Sequence, residues 1–343
     1  MKAIKDRNLN FGPRAPVPVD GGVARFGSIT SDSLERYGAA VRDFFDWATR
    51  SEDMRQASES KIDQRMCKYF DNLMSDARHP AEGRYALWGF LTFFPRADIQ
   101  KSARLVMSRE AMKGWTRRFP GSSRHPWPLC IFFLFMVVFL KDGHIDAAVA
   151  LAIQLDAYLR PSEICDLRWC SVVQPSSLSS KLARNKWAVV IGNSDLGETT
   201  KTGESDDTII LNSPGREWVG SVLEMWARRR TPNASPDDFV FPKLTLAKYE
   251  ALFRKYSRSL LGKLGPVTPH VARHSAPSHD VLVGSRSLAM VQKRGRWAHP
   301  KSVKRYEKSG RLLLQAARLP VHLAKRASAA ESSIFQSFQE ALQ

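Results

Sequence analysis

HVARHSAPSHDVLVGSRSLAMVQKRGRWAHPKSVKRY, residues 270–306, decides how the rest of the chain is read. His270 and Arg273 lie three residues apart, so on a helix they share one face and can converge on one small anion. Trp297 and Tyr306 are nine residues apart across a short break at His299-Pro300, and Tyr306 sits among Lys301, Lys304, Arg305 and Lys308. A guanidinium, an imidazole and a cationic setting for a phenol are what attack on a phosphodiester needs. None of these signals is specific alone; their order carries the reading.

Working outward, Thr268-Pro269-His270 starts a helix, with Thr as N-cap and Pro at the first helical position. Pro277 is expected to break or kink that helix. Upstream come a helix over 245–261, a short extended piece DDFVFP (237–242) and a helix from Glu217 to Arg229. Before these, KWAVVIG (186–192) and TIIL (208–211) flank a polar loop with Gly197 and Gly203, which is hairpin chemistry with a long tip. A helix from about Asp146 runs into YLRPSEICDLRW (158–169), and the apolar run 129–140 reads as a buried helix. Its twelve residues are too short to span a bilayer.

Ahead of a basic, proline-bearing linker at 117–128 the pattern is helical. Ser31-Asp32-Ser33 can cap a helix carrying Leu34, Tyr37, Val41 and Phe44, a second helix covers about 59–77, and 85–94 and 101–119 follow. Residues 1–27 read as an irregular tail. Past residue 318 a loose connector leads to a terminal helix with Ile334, Phe335, Phe338 and Leu342 on one face.

The chain has 343 residues, enough for two domains, and 43% apolar residues to build their cores. Its net charge of +18 is spread along the sequence rather than held in a tail, and such a field favours polyanions, nucleic acid first. A membrane-surface role lacks its amphipathic basic helix with a broad apolar face. Cys67, Cys130, Cys165 and Cys170 form no CxxC pair, which argues for a reducing compartment and against structural zinc. No signal peptide is visible, so a soluble intracellular protein is expected.

In chain order the candidates are Arg160, Lys201, His270, Arg273, Trp297 and Tyr306. Over roughly residues 129–310 their order and contexts resemble the tyrosine recombinase (phage integrase) family. YLRPSEICDLRW resembles its first arginine box, with Glu163 three residues after Arg160, and TKTG around Lys201 resembles its lysine hairpin. VTPHVARHSA is similar to the second box, and GSRSLAMVQKRGRW to the approach to a fifth position that is His in most members and Trp in some. The chain departs from the family at Tyr158, where a glycine is usual, so the turn that aims Arg160 is expected to differ.

The resemblance implies a mainly α fold with a small antiparallel β-sheet. A helical, DNA-clamping N-terminal domain (28–120) precedes a mixed α+β catalytic domain (125–318) and a C-terminal helix or tail (319–343). It further implies that Arg160 and Arg273 clamp the scissile phosphate, Tyr306 attacks phosphorus, His270 assists its deprotonation, Lys201 protonates the leaving 5′ oxygen, and Trp297 packs and donates its indole N–H. No cofactor or metal is implied; the partners are double-stranded DNA and sister copies in a homo-tetramer on two DNA sites, without a membrane. The compartment would be the nucleus in a eukaryotic mobile element and the nucleoid otherwise.

Alternatives stand beside this. Lys181 and Lys186 rival Lys201, His299 rivals Trp297, and Arg160–Glu163 also fits a plain helix salt bridge. The terminal helix either docks on a neighbouring subunit or packs on its own domain. For the whole chain, a type IB topoisomerase and an inactive DNA-binding relative are the rivals.

Overall fold

In the computed structural model, described at residues 29–50, 53–54, 56–96, 98–119, 125–175, 186–193, 207–230, 235–304 and 308–343, helices dominate and one small sheet interrupts them. The expected tail over 1–27 lies outside these residues. The chain forms two compact units, divided between residues 123 and 124. Among the described residues, no helix is long and apolar enough to cross a membrane.

The first unit contains α1 (Ser31–Thr49), α2 (Glu59–Ser75), α3 (Pro80–Phe93) and α4 (Val106–Arg118). Thr30, rather than the Ser31-Asp32-Ser33 cluster, caps α1: its hydroxyl accepts the Ser33 N–H at 3.3 Å. The helix expected over 101–119 begins only at Val106, after a 3-10 turn at Lys101–Ala103. Leu105 at its N-cap has no side-chain oxygen, so Asp63 of α2 accepts the Met107 and Ser108 N–H groups instead, at 2.9 and 2.8 Å. Phe44, Met66, Phe70, Phe90 and Trp115 fill the core. Gly89 lets α3 approach α1 closely, since a Cβ there would stand 2.9 Å from the Tyr37 carbonyl oxygen.

The second unit opens with α5 (Leu129–Lys141), an apolar helix buried along most of its length. Trp127, inside the expected linker, is buried and donates its N–H to Ser275 Oγ at 2.9 Å. In α6 (Ile145–Ala157) every residue from Ala147 to Ala157 is buried, including the polar Gln154 and Asp156. The helix expected to run on into residues 158–169 stops instead at Tyr158, which turns left-handed at φ 53°. The short α7 (Pro161–Cys165) restarts it with Pro161 at its head. Thus Tyr158 adopts the backbone state that glycine favours, although the sequence predicts a different turn.

Strands β1 (Val172–Val173), β2 (Ala188–Ile191) and β3 (Asp207–Ile210) form an antiparallel sheet in that order, with Val172 opposite Val189 and Ile191 opposite Asp207. The hairpin is where the apolar runs place it; the two-residue β1 is too short to carry a sequence signal. Then come α8 (Trp218–Arg230), α9 (Leu246–Leu261), α10 (Pro269–Leu282), α11 (Leu288–Gly295), α12 (Pro300–Val303), α13 (Ser309–Ala317) and α14 (Val321–Leu342).

Two expectations fail here. First, α10 does not break at Pro277 but continues through it. It is buried on nearly every side, and packing outweighs the local penalty. Ser275 and Ser278 also return hydroxyl bonds to the carbonyls of Val271 and His274, each at 2.8 Å. Second, the connector before the terminal helix is short, because α14 starts directly after Pro320. Of the two placements left open for that helix, the chain adopts packing on its own unit: Phe338 lies 5.7 Å from the Trp218 ring, and Arg229 donates to the Ala341 carbonyl at 2.8 Å.

Candidate active site

Three segments far apart in sequence meet at one carboxylate. Arg160, in extended conformation at the head of α7, donates its backbone N–H to Glu163 Oε2 at 2.6 Å, and its guanidinium pairs with Oε1. Arg273 of α10 brings its Nη1 to 3.6 Å from Oε2, and Arg296, at the C-terminal end of α11, donates Nη2 to Oε2 at 2.5 Å. Three guanidinium groups therefore share one carboxylate. Burial pushes the Glu163 carboxyl up, but Arg296, Arg273 and the Arg160 amide and guanidinium outweigh it and hold it below its ordinary 4.5. The plain helix salt bridge is present, but it is one part of a larger cationic site.

Arg273 is 1% exposed and heavily held. Its Nη1 donates to the Tyr158 carbonyl, its Nη2 to the Gly295 carbonyl at 2.6 Å, and its guanidinium carbon lies 5.0 Å from the Trp297 ring centre. The left-handed turn at Tyr158 is what presents that carbonyl. Gln154 fastens the same turn to the start of α10, donating to the carbonyls of Leu159 and Pro269 at 3.1 and 2.9 Å, while Tyr249 donates to its Oε1 at 2.9 Å.

His270 is partly exposed near the start of α10, its ring 5.4 Å from that of the buried His274. Trp297 is buried, its ring packed so closely on Gly295 that a Cβ there would stand 2.1 Å from the indole. His299, its rival, is exposed at the N-cap of α12. The structure thus brings Arg160, Arg273 and Trp297 together, with His270 one helical turn before Arg273. Lys201, its rival Lys181 and Tyr306 lie outside the described residues; Lys186, the other rival, is exposed.

Behind this cluster is a buried ionic network that the sequence reading missed. Tyr158 donates its hydroxyl to Asp280 Oδ2, which also receives Arg216 at 2.8 Å and Arg286 at 2.6 Å. Asp156 accepts the Ser213 N–H at 2.9 Å and Arg294 at 3.1 Å. Burial raises the Asp280 carboxyl, but Arg216, Tyr158 and Arg286 outweigh it and hold it below its ordinary 3.8. Burial, then the Asp280 charge, pushes the Tyr158 phenol well above its ordinary value. One signal was available: Gln154 and Asp156 are polar positions in an otherwise apolar helix, and buried polar groups need partners. Arg296 carried no such signal.

Comparison with known proteins gives three results. The model of the phage integrase family matches residues 136–311, more than half of the chain. A search of curated proteins finds no match. Among solved structures, the chain is similar to the XerH site-specific recombinase in two complexes. The post-cleavage complex with palindromic difH substrate has a TM-score of 0.53 at 14% identity, covering 82% of this chain and 78% of that one. The pre-cleavage complex with difH substrate has 0.51 at 14% identity, covering 93% of each chain. These likenesses are of fold alone. The chain belongs to the phage integrase family, the tyrosine recombinases.

Proposed function

We propose that this recombinase cuts and rejoins duplex DNA at defined sites through a 3′-phosphotyrosyl intermediate on Tyr306. The observation that carries the proposal is the meeting of Arg160 and Arg273, from separate segments, at Glu163, with Trp297 packed on Arg273. Phosphoryl transfer depends mostly on positioning and charge neutralisation, and planar guanidinium forks suit nonbridging phosphate oxygens. In this reading Arg160 and Arg273 hold the scissile phosphate, and Tyr306 attacks phosphorus while His270 assists removal of its proton. The 5′ oxygen leaves with a proton from Lys201, and the new ester conserves bond energy for rejoining. Trp297 packs against Arg273 and has an indole N–H to donate, but no acid–base capacity.

DNA as the partner is supported by the charge of +18 and by the first unit, where Arg84, Trp88, Arg109, Lys113 and Arg117 line a cavity of about 430 Å³. The cations among these residues suit the phosphates of duplex DNA. The helical first unit is therefore assigned the clamping role. Recombination between two sites calls for four copies, and the compartment is the one that holds the target DNA.

The test is covalent trapping. The protein is incubated with end-labelled duplexes, nicked beside potential cleavage points, that include sequences flanking its own coding region. The expected product is a denaturation-resistant adduct, formed without divalent metal and lost in Tyr306→Phe. Tyr306→Phe binding the same DNA while still forming the adduct would sink the assignment.

A further inference from the structure

We propose that Arg296 is a third phosphate-binding arginine of this site, acting beside Arg160 and Arg273. Its side chain is buried, with 4% exposure, yet among the described residues only its Nη2 is hydrogen-bonded, to Glu163. Among the described residues Nε and Nη1 have no hydrogen-bond partner; Asp207 Oδ2 pairs with Nε at 4.0 Å, beyond hydrogen-bond reach. Burying guanidinium donors without acceptors is costly, and a phosphate oxygen is the acceptor that would relieve them. The neighbours say which anion fits. Arg296 shares Glu163 Oε2 with the Arg160 amide and Arg273, so an oxyanion held by those two arginines is within the reach of the third.

The backbone adds a second, independent sign. Arg296 closes α11 in the left-handed conformation at φ 55°, ψ 48°, where glycine would sit without strain. A charged side chain is kept there against that preference, immediately before Trp297 and immediately after the Gly295 whose carbonyl holds Arg273. Strain of this kind collects where a side chain is needed in one place. Arg296 thus supplies positive charge and a forked donor to the scissile phosphate, strengthening as charge builds on the nonbridging oxygens.

The inference rests on the recombinase reading, and its experiment separates the two. Adduct formation is timed for wild type, Arg296→Gly and Arg296→Gln on nicked duplexes carrying either the natural phosphate or a neutral methylphosphonate at the cleavage point. Arg296→Gly suits the left-handed turn, so loss of folding is not its expected failure. With phosphate, both variants are expected to slow adduct formation about 100-fold at unchanged DNA affinity. With methylphosphonate, which has lost the anionic oxygen, the deficit is expected to shrink to less than about tenfold. An equal deficit on both substrates makes Arg296 a structural residue and overturns the inference, as does a phosphate rate within about threefold of wild type. A wild type that forms no Tyr306-dependent adduct on bound DNA overturns the recombinase reading, and this inference with it.

Discussion

Tyr158 and Arg296 both end a helix in the left-handed conformation, at φ 53° and 55°, and each stands just ahead of a site residue, Arg160 or Trp297. Their side chains are treated in opposite ways. The Tyr158 ring is fully buried, and both its hydroxyl and its carbonyl are used, the one donating to Asp280 and the other accepting from Arg273. Arg296 is nearly as enclosed, but two of its guanidinium nitrogens have no hydrogen bond among the described residues. One turn is scaffold, its hydroxyl and carbonyl held by Asp280 and Arg273. The other holds donors in reserve beside the place where a phosphate would bind.

The hardest way to break this contrast is to remove the centre of the scaffold. Asp280→Asn takes the negative charge from between Arg216 and Arg286, and breaking a buried pair in this way is expected to cost about 3–5 kcal/mol in urea denaturation. Acid makes the same break without mutation. The Asp280 and Glu163 carboxyls are both held below their ordinary values of 3.8 and 4.5. Their contribution is therefore complete above those values and lost as pH falls through the lowered folded ones. Stability is expected to decline on acidification below about pH 4, and less steeply in Asp280→Asn, which has one fewer carboxyl to protonate.

A smaller effect sharpens the comparison, because the same substitution is made in both turns. Tyr158→Gly loses a buried aromatic side chain, costing about 3–5 kcal/mol, and regains about 1–2 kcal/mol from the left-handed backbone, for a net loss of about 2 kcal/mol. Arg296→Gly gains the same backbone relief and discards two unsatisfied buried donors, against the loss of one of several cationic partners of Glu163. Its stability is expected to stay within about 1 kcal/mol of wild type by urea denaturation. Equal losses in the two variants would erase the distinction between scaffold and reserve.

The comparison also marks what could be read from sequence. Helices whose apolar residues recur at helical spacing, and the hairpin bounded by KWAVVIG and TIIL, were legible because periodicity and turn chemistry are local. Arg160 and Arg273 could be picked out because each lies in a short contiguous pattern, and the structure brings them to one carboxylate from 113 residues apart in sequence. Tertiary packing hid the rest. Pro277 breaks a free helix but not one buried on nearly every side. Tyr158 departs from the usual glycine yet turns as glycine would, because its hydroxyl finds Asp280 122 residues away. Arg296 reads as one more basic residue among Lys293 and Arg294 until burial and missing partners single it out.

The central claim is that this arginine cluster serves chemistry at Tyr306. The most direct measurement is to trap the adduct on a nicked duplex, digest the DNA and protein, and locate the nucleotide by mass spectrometry. The account predicts a 3′-nucleotide on the peptide containing Tyr306, with little adduct formed by Arg160→Ala or Arg273→Ala. A nucleotide on any other residue, or full adduct yield without both arginines, would contradict it.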